Sequence, residues 1–190
     1  MTETKVILIS GKKRAGKNHC AEVLKAKLEQ MGKTVLVTAY ADPIKEILAI
    51  SLNISVEELD TLKNNNDVLY SQDENTEIWQ LTGARSLIQK FGTEAMKQYF
   101  GTDVWVNLMK LKIRETDADF VIIPDFRFPS ENISHLTIKV KNDGVDKVAT
   151  DSHASETSLD GCESLYEVDN TGKPNLSPQV SGFILNVLGL

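Results

Sequence analysis

Four apolar residues, Val6-Ile-Leu-Ile9, lead into Gly11-Lys-Lys-Arg-Ala-Gly16-Lys17, and a helical pattern starts at once. No other stretch limits the fold so sharply. Three of the four apolar residues are β-branched, the mark of a strand buried on both faces. Strand, glycine loop and helix in that order predict a phosphate-binding loop. Such a loop turns its backbone N–H groups toward an anion, and the new helix adds its unsatisfied donors and positive dipole end. Gly11 and Gly16 permit the required backbone angles, and Lys17 supplies a point charge for the outer phosphates. A glycine loop that merely caps a helix is the plainer alternative, and the flanking strand and helix argue against it. One position departs from the pattern. Where a Ser or Thr hydroxyl ordinarily reaches magnesium, the chain has Asn18, whose amide oxygen could contact the metal directly or through water.

A chain of 190 residues suits one domain with a full core. Its net charge of −6 argues against broad nucleic-acid binding but leaves room for a local basic site for small phosphates. Cys20 and Cys162 are too few for a disulfide framework and lack metal-ligand spacing, so two reduced thiols are expected. Met1 to Lys5 leaves no room for a signal peptide before the first strand, and no apolar run nears the ~18 residues of a membrane span. A cytoplasmic protein without a membrane partner is the expectation.

Further along, Cys20, Leu24, Leu28 and Met31 form one helical face that Gly32 can end. Val35 to Ala39 reads as a second strand. Asp42-Pro43 is a helix start, Asp at the N-cap and Pro at the first helical position. The same carboxylate would lie at the carboxyl edge of a parallel strand, where open α/β sheets bind ligands, and spacing does not choose between these roles. Lys45, one turn in, is either a solvated lysine or a phosphate contact. Ser55-Val-Glu-Glu58 reads as a capping box, and residues 61–77 as a polar surface loop. Ala84, Ile88, Phe91, Ala95 and Tyr99 share a stripe that Gly92 and Gly101 should break into two or three helices. Arg85 and Gln89, four apart, could hold a phosphate and a base edge. Trp105 has core burial as its ordinary explanation. Phe120 to Ile123 is an all-apolar strand that ends in Pro124-Asp125-Phe-Arg127, where a strand-end carboxylate can organise magnesium. Leu136, Ile138 and Val140 alternate with Thr137 and Lys139, which predicts a strand nearer an edge. Residues 141–162, with Lys141, Lys147, His153 and Glu156, are either a lid or a plain loop. Tyr166 to Asn170 is a last strand and turn, and Ser177-Pro178 opens a final helix.

With right-handed crossovers this order gives a mainly parallel sheet covered by helices on both sides, an α/β fold of the P-loop type. Phosphoryl transfer suits these parts, since it needs positioned phosphates, magnesium and positive charge more than covalent help. Arg14, Arg85 and Arg127 are three of the chain's four arginines, and all lie near proposed phosphate positions. No Asn-Lys-x-Asp guanine motif occurs, and the loop lacks the Gly-x-Gly-x-x-Gly spacing of a dinucleotide site.

Gly11–Lys17, Ala41-Asp-Pro-Ile-Lys45, Arg85–Thr93, Asp103-Val-Trp-Val106 and Asp125-Phe-Arg127 together resemble the deoxynucleoside monophosphate kinases of tailed bacteriophages. His153-Ala-Ser-Glu156 and Val168-Asp-Asn170 are similar to that family's lid and adenine-side segments. The resemblance implies a single P-loop kinase domain, three-layered α/β/α, with a helical acceptor region over about 43–115 and a lid over about 141–162. It implies transfer of the ATP γ-phosphate to a deoxynucleoside monophosphate with Mg2+, in the host cytoplasm if phage-encoded. Lys17, Asp125 and Arg127 would be catalytic, with Asn18 and Asp125 toward the metal. ATP would be bound by Gly11, Lys12, Arg14, Ala15, Gly16, Lys17, Asn18, His19 and Asn170, the last beside the adenine. The acceptor would meet Asp42, Lys45, Arg85, Gln89, Trp105, Arg127 and Glu156. The exposed faces of helices 84–100 and 103–114 could pair in a homodimer. Two departures stand out: that family has Asp where this chain has Asn18, and segment 141–162 contains no arginine. They leave room for a catalytically weak nucleotide-binding regulator, while a phosphomevalonate-type kinase, which shares the loop, the Asp-x-Arg strand end and a His/Glu lid, is the nearest enzyme rival.

Overall fold

The computed structural model describes residues 4–65, 68–70, 80–146, 154–172 and 174–190. In chain order the elements are β1 (Lys5–Ser10), α1 (Lys17–Gln30), β2 (Val35–Val37), α2 (Asp42–Leu52), α3 (Val56–Asn65), β3 (Val68–Tyr70) and β4 (Gln80–Gly83). Then come α4 (Ala84–Gln89), a π-helical turn (Lys90–Ala95), α5 (Met96–Phe100), α6 (Val104–Glu115), β5 (Phe120–Ile123) and β6 (Leu136–Lys141). The chain closes with α7 (Asp143–Asp146), α8 (Ala154–Thr157), β7 (Tyr166–Asp169) and α9 (Ser177–Phe183), which runs on as a π-helix over Ile184–Leu188. Two compact units result, one of Met1–Ala39 with Val106–Leu190 and one of Tyr40–Trp105.

The first unit is built on a five-stranded sheet in the order β2-β5-β1-β6-β7. Every pairing in it is parallel, with Ile7 beside Ile122 on one side and Leu136 on the other. Strand side chains alternate between faces. Ile7, Ile9, Ile122, Ile138 and Val168 therefore share one face, where they pack with Cys20, Leu24 and Leu28 of α1 and with Val180 and Phe183 of α9. Leu8, Val121 and Ile123, on the opposite face, are equally inaccessible, so the central strands are buried on both sides. Burial also pushes the Cys20 thiol up to about 12, which makes it a core group and not a nucleophile.

β6 lies one strand in from the edge, between β1 and β7, in keeping with a strand nearer an edge, but its alternating polar residues do not all face water. Its alternation has a local cause: Thr137 is buried and its hydroxyl accepts the Leu165 N–H at 2.9 Å. A satisfied threonine thus imitated an exposed one.

In the second unit, the Ser55–Glu58 box forms as expected, with Glu58 accepting the Ser55 N–H at 2.8 Å and Ser55 Oγ the Glu58 N–H at 3.1 Å. The expected loop over 61–77 is corrected where it is described. α3 runs to Asn65, and Val68–Tyr70 pairs antiparallel with Gln80–Gly83. The helix after Pro43 starts one residue early, at Asp42, with Ala41 at the cap. Asp42 is thus a first-turn acid that favours the helix dipole, not a side-chain cap. Gly92 does not break the 84–100 helix either. The chain passes it as a π-helical turn, and Trp105 donates its indole N–H to the Gly92 carbonyl at 2.7 Å. A side chain inserted into the carbonyl ladder is a known source of such distortion. Gly101, with φ of +92°, ends the run.

Candidate active site

β1 delivers the chain at Ser10 and α1 collects it at Lys17. Between them the backbone takes positive φ at Gly11 (+141°), Arg14 (+66°) and Gly16 (+103°). A Cβ on Gly11 would strike the Val140 carbonyl, and one on Gly16 would strike the Asn170 side-chain amide. Both glycines are therefore demanded twice, by conformation and by space. Lys17 is buried, and its Nζ donates to the carbonyls of Gly11 (2.7 Å) and Lys12 (2.8 Å). The ammonium thus ties the loop to itself and stands at its mouth. Ala15 is buried, whereas Arg14, Asn18 and His19 are exposed. His19 lies 3.9 Å from Glu22, a weak helical pair. Asn170, expected beside the adenine, is buried and gives its amide N–H to the Ala15 carbonyl at 2.8 Å. It braces the loop.

The loop already holds an anionic group. Glu156 of α8 accepts the Lys13 backbone N–H on Oε2 at 2.7 Å, and its Oε1 accepts from Arg127 Nη1. Its side chain is only 7% exposed, so this pair is largely removed from water and worth more than a surface bridge. Lys12 donates to the Glu156 carbonyl at 2.6 Å and pairs with Asp160. Glu156, grouped with the acceptor residues on the sequence, sits on the phosphate loop. Lys147 and His153 lie outside the described residues, and Lys141 pairs with Glu167 across β6 and β7.

Asp125 lies in the turn directly after β5, and Arg127 follows. Their loop is shaped by Glu131, a buried carboxylate that accepts the N–H groups of Arg127 (2.8 Å) and Phe128 (3.0 Å). Sequence reasoning passed over Glu131, Asp160 and the loop-bracing role of Asn170. No cluster of three metal-ligating side chains occurs among the described residues. The Glu156 carboxylate on the Lys13 N–H is an anionic group held on the loop backbone.

The second unit has its own concentration of charge. Lys45 Nζ lies 2.8 Å from Asp60 and Lys63 Nζ 3.5 Å from it. The charge of Arg85 also reaches Lys63: burial first, then Lys45 and Arg85, push the lysine below its ordinary 10.5, while Asp60 works against them. Burial alone would raise Asp60, but the bond and charge of Lys45, then of Lys63, hold it below its ordinary 3.8. Among the described residues, Lys45 and Lys63 thus meet Asp60, with Arg85 near enough for its charge to reach Lys63. Arg85 Nε is buried with no hydrogen-bond partner among the described residues, an arrangement with a cost unless an acceptor serves it. Gln89, four residues on, is half-buried, whereas Trp105 is a core residue whose polar atom is spent on Gly92. Lys63 and Asp60 were missed in the sequence, although their i, i+3 spacing on a helix was legible.

No protein-family model matches the sequence, and no curated protein does. Among solved structures, cobyrinic acid a,c-diamide synthase from Mycobacterium smegmatis with bound ATP analog and magnesium is similar at 16% identity and a TM-score of 0.44. That match covers 98% of this chain and 80% of the other. The same enzyme with ADP and magnesium matches at 16% identity and a TM-score of 0.43, over 97% and 82% of the two chains. The parallel sheet, with a glycine loop joining its central first strand to the first helix, makes this an α/β fold of P-loop type by the chain's own geometry.

Proposed function

We propose that the chain is an ATP-dependent deoxynucleoside monophosphate kinase. The observation that carries this reading is the presence of two anion-selecting clusters, one in each unit. The loop with Lys17, Arg127 and the Lys13 N–H suits the phosphates of a donor. The Lys45, Lys63 and Arg85 group, paired among the described residues only through Asp60, suits an acceptor that itself carries a phosphate. A hydrolase would not need the second cluster. In the reaction an acceptor phosphate oxygen attacks the ATP γ-phosphorus while the bond from that phosphorus to the β-bridging oxygen breaks, leaving ADP and a diphosphate. Lys17 and the loop amides hold the donor, and Arg127 counters charge on the transferred group. Asn18 and Asp125 would hold magnesium with the phosphates, and the metal when bound would neutralise charge on the phosphate oxygens. Asp42, Lys45, Arg85 and Gln89 take the acceptor side.

A coupled assay of ADP release tests this with dAMP, dGMP, dCMP, dTMP and phosphomevalonate in parallel. Turnover with at least one deoxynucleotide is expected. Turnover with phosphomevalonate alone would replace the proposed acceptor. A second reading, a nucleotide-binding protein with little catalysis, draws support from Glu156 holding both Arg127 and a loop N–H, and from Asn18. ATP binding without turnover on any acceptor would favour it.

A further inference from the structure

At the amino ends of β1 and β6 the first unit has a cleft of about 910 Å³, within the range of small-molecule sites. Among the described residues its wall includes Lys5, Lys110, Arg114 and His135, and no aspartate or glutamate. For a chain of net charge −6 that is against the grain. Arg114 is also the one arginine that the phosphoryl-transfer reading leaves unused. Lys110 and Arg114 stand four apart on one face of α6, a like-charge spacing that weakens a helix unless an anion lies between them. None of Lys5, Lys110 and Arg114 has an ion-pair partner among the described residues. The remaining wall is largely apolar, with Val6, Leu111, Ile133 and Val187. Ser134 fixes the rim by donating its hydroxyl to the Val6 carbonyl at 2.5 Å.

We infer that this cleft binds a small amphipathic anion, its apolar body on the aliphatic wall and its phosphate or carboxylate on Lys110 and Arg114. The site is separate from the phosphate loop. Val6 and Ser10 are four residues apart on one strand, about 13 Å at the usual rise, and the loop begins beyond Ser10. The inference therefore stands or falls independently of the kinase reading.

Fluorescence titration with 8-anilinonaphthalene-1-sulfonate, in saturating ATP and Mg2+, tests it. One saturable site is expected, unchanged in Lys17→Ala and weakened tenfold or more in Lys110→Glu/Arg114→Glu. Leu111→Trp, at an exposed position, should block the site without altering charge. Circular dichroism melts keep the comparison among folded proteins, and the Leu111→Trp arm decides if the charge-reversed protein does not fold. Phenyl phosphate and decanoate then compete for the dye. Displacement by the first points to an aryl phosphate and by the second to an acyl carboxylate. Equal dye binding in wild type and in the folded variants would overturn the inference, as would displacement by neither competitor at millimolar concentration.

Discussion

Lys17 serves the loop's shape as well as its proposed ligand, because its ammonium bridges two loop carbonyls at 2.7 and 2.8 Å. Lys17→Ala should lower kcat by at least ~100-fold, the scale of losing one preorganised charge contact, while far-UV circular dichroism stays native. Full activity in that variant would remove the P-loop from the mechanism. Glu156 makes the opposite case. Its carboxylate occupies a loop N–H and Arg127, so on the proposed reading a nucleotide phosphate would have to displace it. Calorimetry on Glu156→Ala should find ATP bound about 5- to 30-fold more tightly, the ~1–2 kcal/mol left after one set of charged hydrogen bonds replaces another. Weaker binding would mean that Glu156 helps to hold the nucleotide. Gly11, Gly16 and Lys17 were legible in the sequence because each is tied to a fixed spacing between a strand and a helix. Asn170 was legible only as a position: its bond to Ala15 spans 155 residues, and no local pattern reports such a contact.

Among elements, the π-helical turn at Lys90–Ala95 gives Gly92 a role that helix propensity cannot supply. A Cβ there would lie 2.5 Å from Ile44 Cδ1, so α2 and the turn pack through the absence of a side chain. Gly92→Ala gains up to about 1 kcal/mol of helix propensity and costs about 1–3 kcal/mol in overpacking. Ile44→Val deletes the offending methyl group, so the alanine should be better tolerated in the double variant. A thermodynamic cycle by urea unfolding should give a coupling of about 1 kcal/mol or more. Zero coupling would mean that the turn relaxes away from Ile44. On sequence, Gly92 looked like a helix break, because glycine's commonest local meaning there is termination. The tertiary contact decided otherwise. The same competition explains β6, where a buried bond to Thr137 was hidden by its alternating pattern, and α3, whose polar second half looked like loop. The parallel sheet was legible because doubly buried strands such as Phe120–Ile123 need no partner to announce themselves.

For the whole molecule, pH dependence joins the two units' electrostatics to folding. Asp119 accepts the Thr34 backbone N–H at 2.8 Å and its hydroxyl at 3.1 Å, and these bonds, the backbone one first, hold its carboxyl below the ordinary 3.8. The Thr171 side chain and then its backbone do the same for Asp169. Asp60 is lowered by Lys45 and Lys63 against its burial. For each, the folded state binds its proton less readily than the unfolded chain. Their contribution is complete above about pH 3.8 and is lost as pH falls through the lower folded values. Lys63 runs the other way: its charged form weighs against folding at neutral pH. The penalty lifts as pH rises through its lowered folded value toward 10.5. Thermal melts from pH 2 to 11 should thus show an acid loss that Asp119→Asn makes shallower, since the amide keeps an acceptor oxygen but no longer titrates. Lys63→Gln should raise the melting temperature relative to wild type at pH 7 and lose that advantage near pH 11. An acid slope unaltered by Asp119→Asn would place the titration elsewhere, and a Lys63→Gln protein less stable at pH 7 would show that its bond to Asp60 outweighs the crowding of three cations.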